Sequence, residues 1–305
     1  MTFGSQFLRY PDLFPARIGG EVWGEREVWI DLPGGPYAFT GLSERQELAM
    51  RARYGDYLRE PAPDFVATRV FRAQQSDFLE VDTRGWEYSL DVEHEAGAIL
   101  IAGMNLMARL ELQARQAGAV WTSEDREEYV IGVVENFFRP LLAYRVAERG
   151  ALVLHSSAVV LDGGAYVFVG RSGAGKSTVA RLALERGHAI LSDDLNVLSP
   201  AGSGWNVARL PFAGEYPDHG RGETVPVAAI YELEKGATHA LSPTTPAASF
   251  AALLRCAPYV NGDPYRVSRL EESISAVVRD VPCSRLTFSL DPGFWPIIEE
   301  RAILR

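Results

Sequence analysis

The chain has 305 residues, 47% hydrophobic, 23% charged and 10% aromatic, with a net charge of −10 and a pI near 5.1. These proportions exclude a fibrous or disordered class, and the acidic balance offers no basic stripe for a nucleic-acid backbone. The longest uncharged apolar run, Ala96 to Ala108, falls short of the ~20 residues of a spanning helix, so the sequence predicts a cytoplasmic protein with no membrane partner.

Length suits two domains at roughly 100–200 residues each. The amino-terminal stretch to about residue 60 is rich in Pro, Gly and aromatics, with a β-like run at Glu27 to Leu32 and a helix expected from Ser43 to about Leu58. From Phe65 to Val92 the runs DFVATRVFRA, FLEVDT and WEYSLDVE alternate apolar with polar residues, which predicts half-buried antiparallel strands. Two long helices are expected next, Ala98 to Ala117 and Ser123 to Arg149, the second with Ser123 as N-cap. Glu93-His94-Glu95 reads as a solvated strand edge rather than a metal site. Helical periodicity stops at Gly150, the expected boundary between an α+β domain over 1–150 and a second domain over 151–305.

The second domain opens with two apolar runs, Leu152 to Leu161 and Ala165 to Val169, separated by Asp162-Gly163-Gly164. A connection that short makes an antiparallel hairpin, because a parallel crossover needs a dozen or more residues. Next, Gly170-Arg-Ser-Gly-Ala-Gly175-Lys176-Ser177-Thr178 matches G-x-x-x-x-G-K-[ST] in full. Chance produces such a match on the order of once in a hundred chains of this length. In that pattern the backbone N–H groups of Gly170, Ser172, Gly173, Ala174 and Gly175 cradle phosphates, Lys176 meets the β- and γ-phosphates, and the Ser177 hydroxyl, followed by Thr178, ligates Mg²⁺. ATP with Mg²⁺ is the expected cofactor pair. Val179, Leu182, Ala183 and Arg186 share one face of a helix that Gly187 can end.

After that helix, Ala189-Ile190-Leu191 reads as a buried strand that delivers Ser192, Asp193 and Asp194 at its carboxyl end. Ligands sit outside such strand ends in open α/β sheets. If this strand lies near the loop, one carboxylate can reach a Mg²⁺ shell and the other can take the proton of an incoming hydroxyl; the alternative is a turn in which both cap backbone N–H groups. Pro243 to Ala248 reads as a loop. Cys256 and Cys283, the only cysteines, read as packing residues.

Taken together, LHSSAVV, the short hairpin, VFVGRSGAGKST, ERGHAILSDD and VPVAAIYELEKG resemble the kinase domain of the HPr kinase/phosphorylase family. They are most similar to the HPr-kinase-related proteins, some of which accompany peptide-modifying gene clusters. The resemblance covers about Leu152 to Glu299 and implies an α/β, P-loop-containing fold like that of phosphoenolpyruvate carboxykinase. It implies Asp193 as catalytic base, Asp194 as a helper near the metal, and His155 as a residue bordering the catalytic carboxylate. Arg209 and Arg221 would lend positive charge to the transferring phosphoryl group. Residues 1 to 150 do not resemble the amino-terminal domain of HPr kinases, and that family's loop for engaging HPr is not recognisable. The expected activity is ATP-dependent phosphorylation of a hydroxyl, a serine of a protein or ribosomal peptide. A small-molecule kinase and a nucleotide-gated regulatory module stay open, as does a homo-oligomer.

Overall fold

The computed structural model describes residues 2–14, 20–82, 89–112, 117–212, 214, 216 and 224–303. The chain divides into two compact units, Met1–Arg145 and Val146–Arg305.

The amino-terminal unit holds β1 (Arg26–Ile30), β2 (Tyr37–Leu42), α1 (Glu44–Tyr54), β3 (Val66–Arg72), β4 (Asp91–His94), β5 (Ala98–Gly103), β6 (Leu106–Glu111), β7 (Ala117–Thr122) and α2 (Glu127–Ala147). Its strands form one mixed sheet in the order β1-β2-β3-β7-β6-β5-β4. Ser43 caps α1 in a reciprocal capping box with Gln46, which fixes the helix start where the sequence put it.

Four expectations are corrected here. The strand at 66–72 runs parallel to both of its neighbours, β2 and β7, rather than antiparallel. In the FLEVDT run, Leu79 instead hydrogen-bonds the Phe7 carbonyl as part of an irregular segment, and residues 83–88 of the following run lie outside the described residues. Where a helix was expected over Ala98 to Ala117, β5 and β6 instead form a hairpin around Met104 and Asn105, and residues 113–116 lie outside the described residues. Every residue of β5 is buried, so its apolar run lacks the alternation that marks a half-exposed strand. The second helix starts at Glu127, not after a Ser123 cap: the Ser123 hydroxyl donates to Gln75 instead.

The carboxy-terminal unit holds β8 (Leu152–Leu161), β9 (Gly164–Val169), α3 (Lys176–Glu185), β10 (Ala189–Ser192), β11 (Leu195–Ala201), β12 (Gly204–Ala208), β13 (Thr224–Lys235), β14 (Ala240–Pro243), α4 (Pro246–Cys256), α5 (Val267–Asp280), β15 (Cys283–Phe288) and α6 (Trp295–Ile303). The β8–β9 hairpin turns at Asp162 and Gly163, both at positive φ (49° and 75°), the conformation that a two-residue turn between twisted strands requires. The stretch expected as a loop at 243–248 already contains the start of α4, with Thr245 as N-cap and Pro246 at its first position.

Strands β8 and β13 are long enough to pair twice. The first half of β8 pairs with β11 and its second half with β9 and β10; β13 pairs with β12 at its start and then with β9 and β15. The pairings β8-β11-β12-β13-β9 therefore return to β8 and close a ring. β9, β13 and β15 run parallel. On one face of these strands Phe168, Tyr231 and Leu286 pack with Val179, Ala180 and Ala183 of α3 and with Trp295 and Ile298 of α6. On the other, α4 lies against β8, β9 and α5.

Candidate active site

The sequence Gly170 to Gly175 leaves the carboxyl end of β9 and enters α3 directly at Lys176. Gly175 sits at φ 108°, and a Cβ there would come within 2.7 Å of the Phe288 ring, so only glycine lets the loop enter the helix this way. Gly173 also has positive φ, and Ala174 N–H bonds the Arg171 carbonyl at 3.0 Å, which curls the loop. No side chain caps the amino terminus of α3, where the first-turn N–H groups and the positive end of the helix dipole favour an anion. Ser177 and Thr178 occupy the same first turn.

Lys176 is buried, and its ammonium folds back onto the carbonyls of Gly170 (3.1 Å) and Arg171 (3.4 Å). Burial pulls its pKa below the ordinary lysine value, opposed in part by the negative charge of the Asp194 carboxylate. Two residues that sequence reasoning missed hold this arrangement. Ser157, on β8, donates to the Lys176 carbonyl at 2.7 Å. Cys256, at the end of α4, points its thiol at the Gly170 carbonyl at 3.6 Å. Ser157 was visible inside the LHSSAVV run, but nothing local marks it as a partner of the loop.

Strands β10 and β11 run along one side of β8 as a nearly continuous pair of segments. Leu191 is an extra residue in that register, since Ile190 pairs with Val159 and Ser192 with Ala158. Such bulges re-aim the side chains that follow. Beyond it come Asp193 and Asp194, and pairing resumes at Leu195 opposite His155. Asp193 is 4% exposed, and the backbone of Gly214 lies so close that a Cβ there would collide with its carboxylate. Asp194 is held by two bonds: its N–H donates to Ser192 Oγ, and its carbonyl accepts from Ser156 N–H. Its carboxylate lies 3.5 Å from His155 Nε2. The structure thus sets His155 beside Asp194, the carboxylate expected near the metal.

Asn196, the next inward residue of β11, is fully buried and donates to both the carbonyl and the hydroxyl of Ser156, which braces the two strands below the aspartates. Arg209 is buried and follows directly on Ala208, which pairs with Val197 of β11. Arg221 lies outside the described residues.

The donor set can be tested against Mg²⁺-ATP. The uncapped helix terminus, the buried ammonium and the N–H-lined loop suit a polyphosphate. No group of three or more His, Cys, Asp or Glu able to hold a metal occurs among the described residues. A cation held by Asp194 and Ser177 would therefore need phosphate oxygens to complete its shell, which is the habit of Mg²⁺. The residues fit the pair together better than they fit the metal alone.

A cleft of about 400 Å³ adjoins the loop. Gly170 to Ala174, Glu232 to Lys235, Ala252, Arg255, Cys256 and Arg285 line it.

Among solved structures, the HPr(Ser) kinase/phosphatase from Coxiella burnetii matches with 13% identity and a TM-score of 0.29, over 50% of this chain and 94% of that one. No curated protein matches the sequence. Among the described residues, no helix is long and apolar enough to cross a membrane. The family model described as SynChlorMet cassette protein ScmC matches residues 120–305, the whole carboxy-terminal unit together with the end of β7 and α2. With well over half of its length so matched, the chain belongs to the ScmC family.

Proposed function

We propose that the carboxy-terminal unit is a Mg²⁺-ATP-dependent phosphotransferase that acts on a hydroxyl, a serine of a protein or peptide, and that the amino-terminal unit selects the substrate. The observation that carries this reading is that consecutive residues of β8 tie the two halves of the site together: Ser157 donates to the carbonyl of the buried Lys176, at the uncapped terminus of α3, and Ser156 N–H donates to the carbonyl of Asp194, next to Asp193. A module that only binds nucleotide has no need of a carboxylate pair there. The ordered motifs from Leu152 onward, similar to those of HPr kinases, support the same chemistry.

Bound Mg²⁺-ATP would supply the phosphoryl group and the charge neutralisation that its transfer needs. The chain's own residues would then do four things. The loop N–H groups and Lys176 hold and polarise the phosphates. Ser177 and Asp194 orient the cation. Asp193, pinned by the Gly214 backbone, accepts the proton of the incoming hydroxyl. His155, 3.5 Å away, positions the Asp194 carboxylate.

The test is to incubate wild type and Asp193→Asn with γ-labelled ATP, Mg²⁺ and extract of the source cell, and to separate labelled macromolecules from labelled metabolites. Label in a protein or peptide with wild type alone is the expected result. Label in a metabolite would replace the peptide with a small-molecule acceptor. No Asp193-dependent label in either fraction would overturn the phosphotransferase reading.

A further inference from the structure

The loop strand has a neighbour on each side, and the register names a single row across them. Asp194 bonds Ser156 through its carbonyl, Ser156 pairs with Val169, Val169 with Glu232, and Glu232 with Arg285. Val169 is the last residue of β9 before the loop. At the usual spacing of about 5 Å between strands, Asp194 stands two strands to one side of the loop strand and Glu232 one strand to the other. The aspartate side carries the groups suited to the reacting phosphate. The Glu232 side carries the 400 Å³ cleft, at the carboxyl end of parallel strands, where open α/β sheets receive ligands.

Glu232 is an unusual wall for a site beside polyphosphate, because a carboxylate repels it. Two guanidinium groups hold it in place: Arg255 Nη2 meets Oε1 at 3.0 Å, and Arg285 Nη2 meets Oε2 at 3.1 Å. Each carboxylate oxygen retains a further acceptor position, since a carboxylate offers about four lone-pair sites. The carboxylate is thus neutralised, oriented and still able to accept. Opposite the reacting phosphate, the part of a nucleotide next to the phosphates is the sugar, whose hydroxyls are donors in need of an oriented acceptor.

Resting on the reading of the loop as an ATP site, the geometry points to the Glu232 cleft as the nucleoside subsite, with the Glu232 carboxylate accepting hydrogen bonds from the ribose hydroxyls. Arg255 and Arg285 act as positioning residues, and the base extends past them along the cleft wall. The arrangement assigns the two flanks of the loop separate tasks, nucleoside on the β13 side and acceptor on the β10–β11 side.

The experiment is calorimetric titration of wild type, Glu232→Gln and Arg255→Ala with three Mg²⁺ complexes: ATP, 2′,3′-dideoxy-ATP and inorganic tripolyphosphate. Wild type is expected to bind ATP about tenfold or more tighter than dideoxy-ATP, the scale of hydrogen bonds to a charged group. Glu232→Gln should erase most of that difference while holding tripolyphosphate as tightly as wild type or more tightly, because a repelling charge has gone. Arg255→Ala, whose side chain is half exposed on α4, should reduce the ATP preference several-fold and serves if Glu232→Gln fails to fold. A wild-type preference for ATP over dideoxy-ATP that survives in both variants, or no such preference in wild type, overturns the subsite. Failure of wild type to bind any of the three complexes would instead overturn the phosphate loop itself and the subsite with it.

Discussion

The Ser157 hydroxyl donates to the Lys176 carbonyl at 2.7 Å and so ties the β8 strand to the first turn of α3. Both residues are buried, and the bond fixes where the helix begins relative to the strand that carries His155. Ser157→Ala should lower unfolding free energy by about 1–2 kcal/mol, the usual cost of a lost buried hydrogen bond. Denaturant titration checks the stability, and a weaker Mg²⁺-ATP titration in the same variant would show that the tie also sets the loop.

Lys176 is predicted to act on stability and on binding with opposite signs. A buried ammonium is costly, and an apolar side chain of similar volume in its place is often neutral or stabilising. Lys176→Met should therefore unfold no earlier than wild type yet lose most of its affinity for Mg²⁺-ATP. The pH dependence follows from the depressed pKa. The folded chain binds fewer protons at this site than the unfolded chain, so wild type gains stability relative to Lys176→Met as pH rises towards the ordinary value of 10.5. Paired melting curves at increasing pH measure it; an unchanging difference would contradict the burial argument.

Gly214 supplies a backbone wall to Asp193 with no room for a Cβ. Asp193→Asn should keep nucleotide affinity and reduce phosphotransfer by ~10²–10⁴-fold, the range for a removed general base. Gly214→Ala should displace the same carboxylate and lower the rate without changing Mg²⁺-ATP affinity. Equal rates in wild type and Asp193→Asn would place the base elsewhere.

Asp194 and His155 divide differently. Asp194→Asn should raise the Mg²⁺ concentration needed for half-maximal activity, because the carboxylate is assigned to the cation. His155→Ala should raise it less, since the imidazole acts on the cation through the Asp194 carboxylate, 3.5 Å away. A Mg²⁺ titration of activity in the two variants reads both, and identical requirements in all three proteins would remove the cation from Asp194.

The hairpin, the loop and α3 were legible in the chain because each is specified within a few residues. Asp162 and Gly163 suit a two-residue turn, glycines sit where φ is positive, and the strand and helix periods are short. The amino-terminal unit was less legible. The run Ala98 to Gly103 is apolar throughout because both faces of β5 are covered, and burial on all sides removes the period that separates a strand from a helix. Likewise, a strand's own residues do not say whether its neighbours run parallel, and β3 is parallel to both. Within the site, sequence identified Asp193 and Asp194 as a pair, and only the bulge at Leu191 and the pairing with β8 decided that His155 faces Asp194. Glu232, Arg255 and Arg285 carry no motif, being separated by 23 and 53 residues along the chain. They meet because β13 and β15 pair in parallel and α4 crosses beside them, and a cluster assembled by long-range pairing leaves no pattern in any short stretch of sequence.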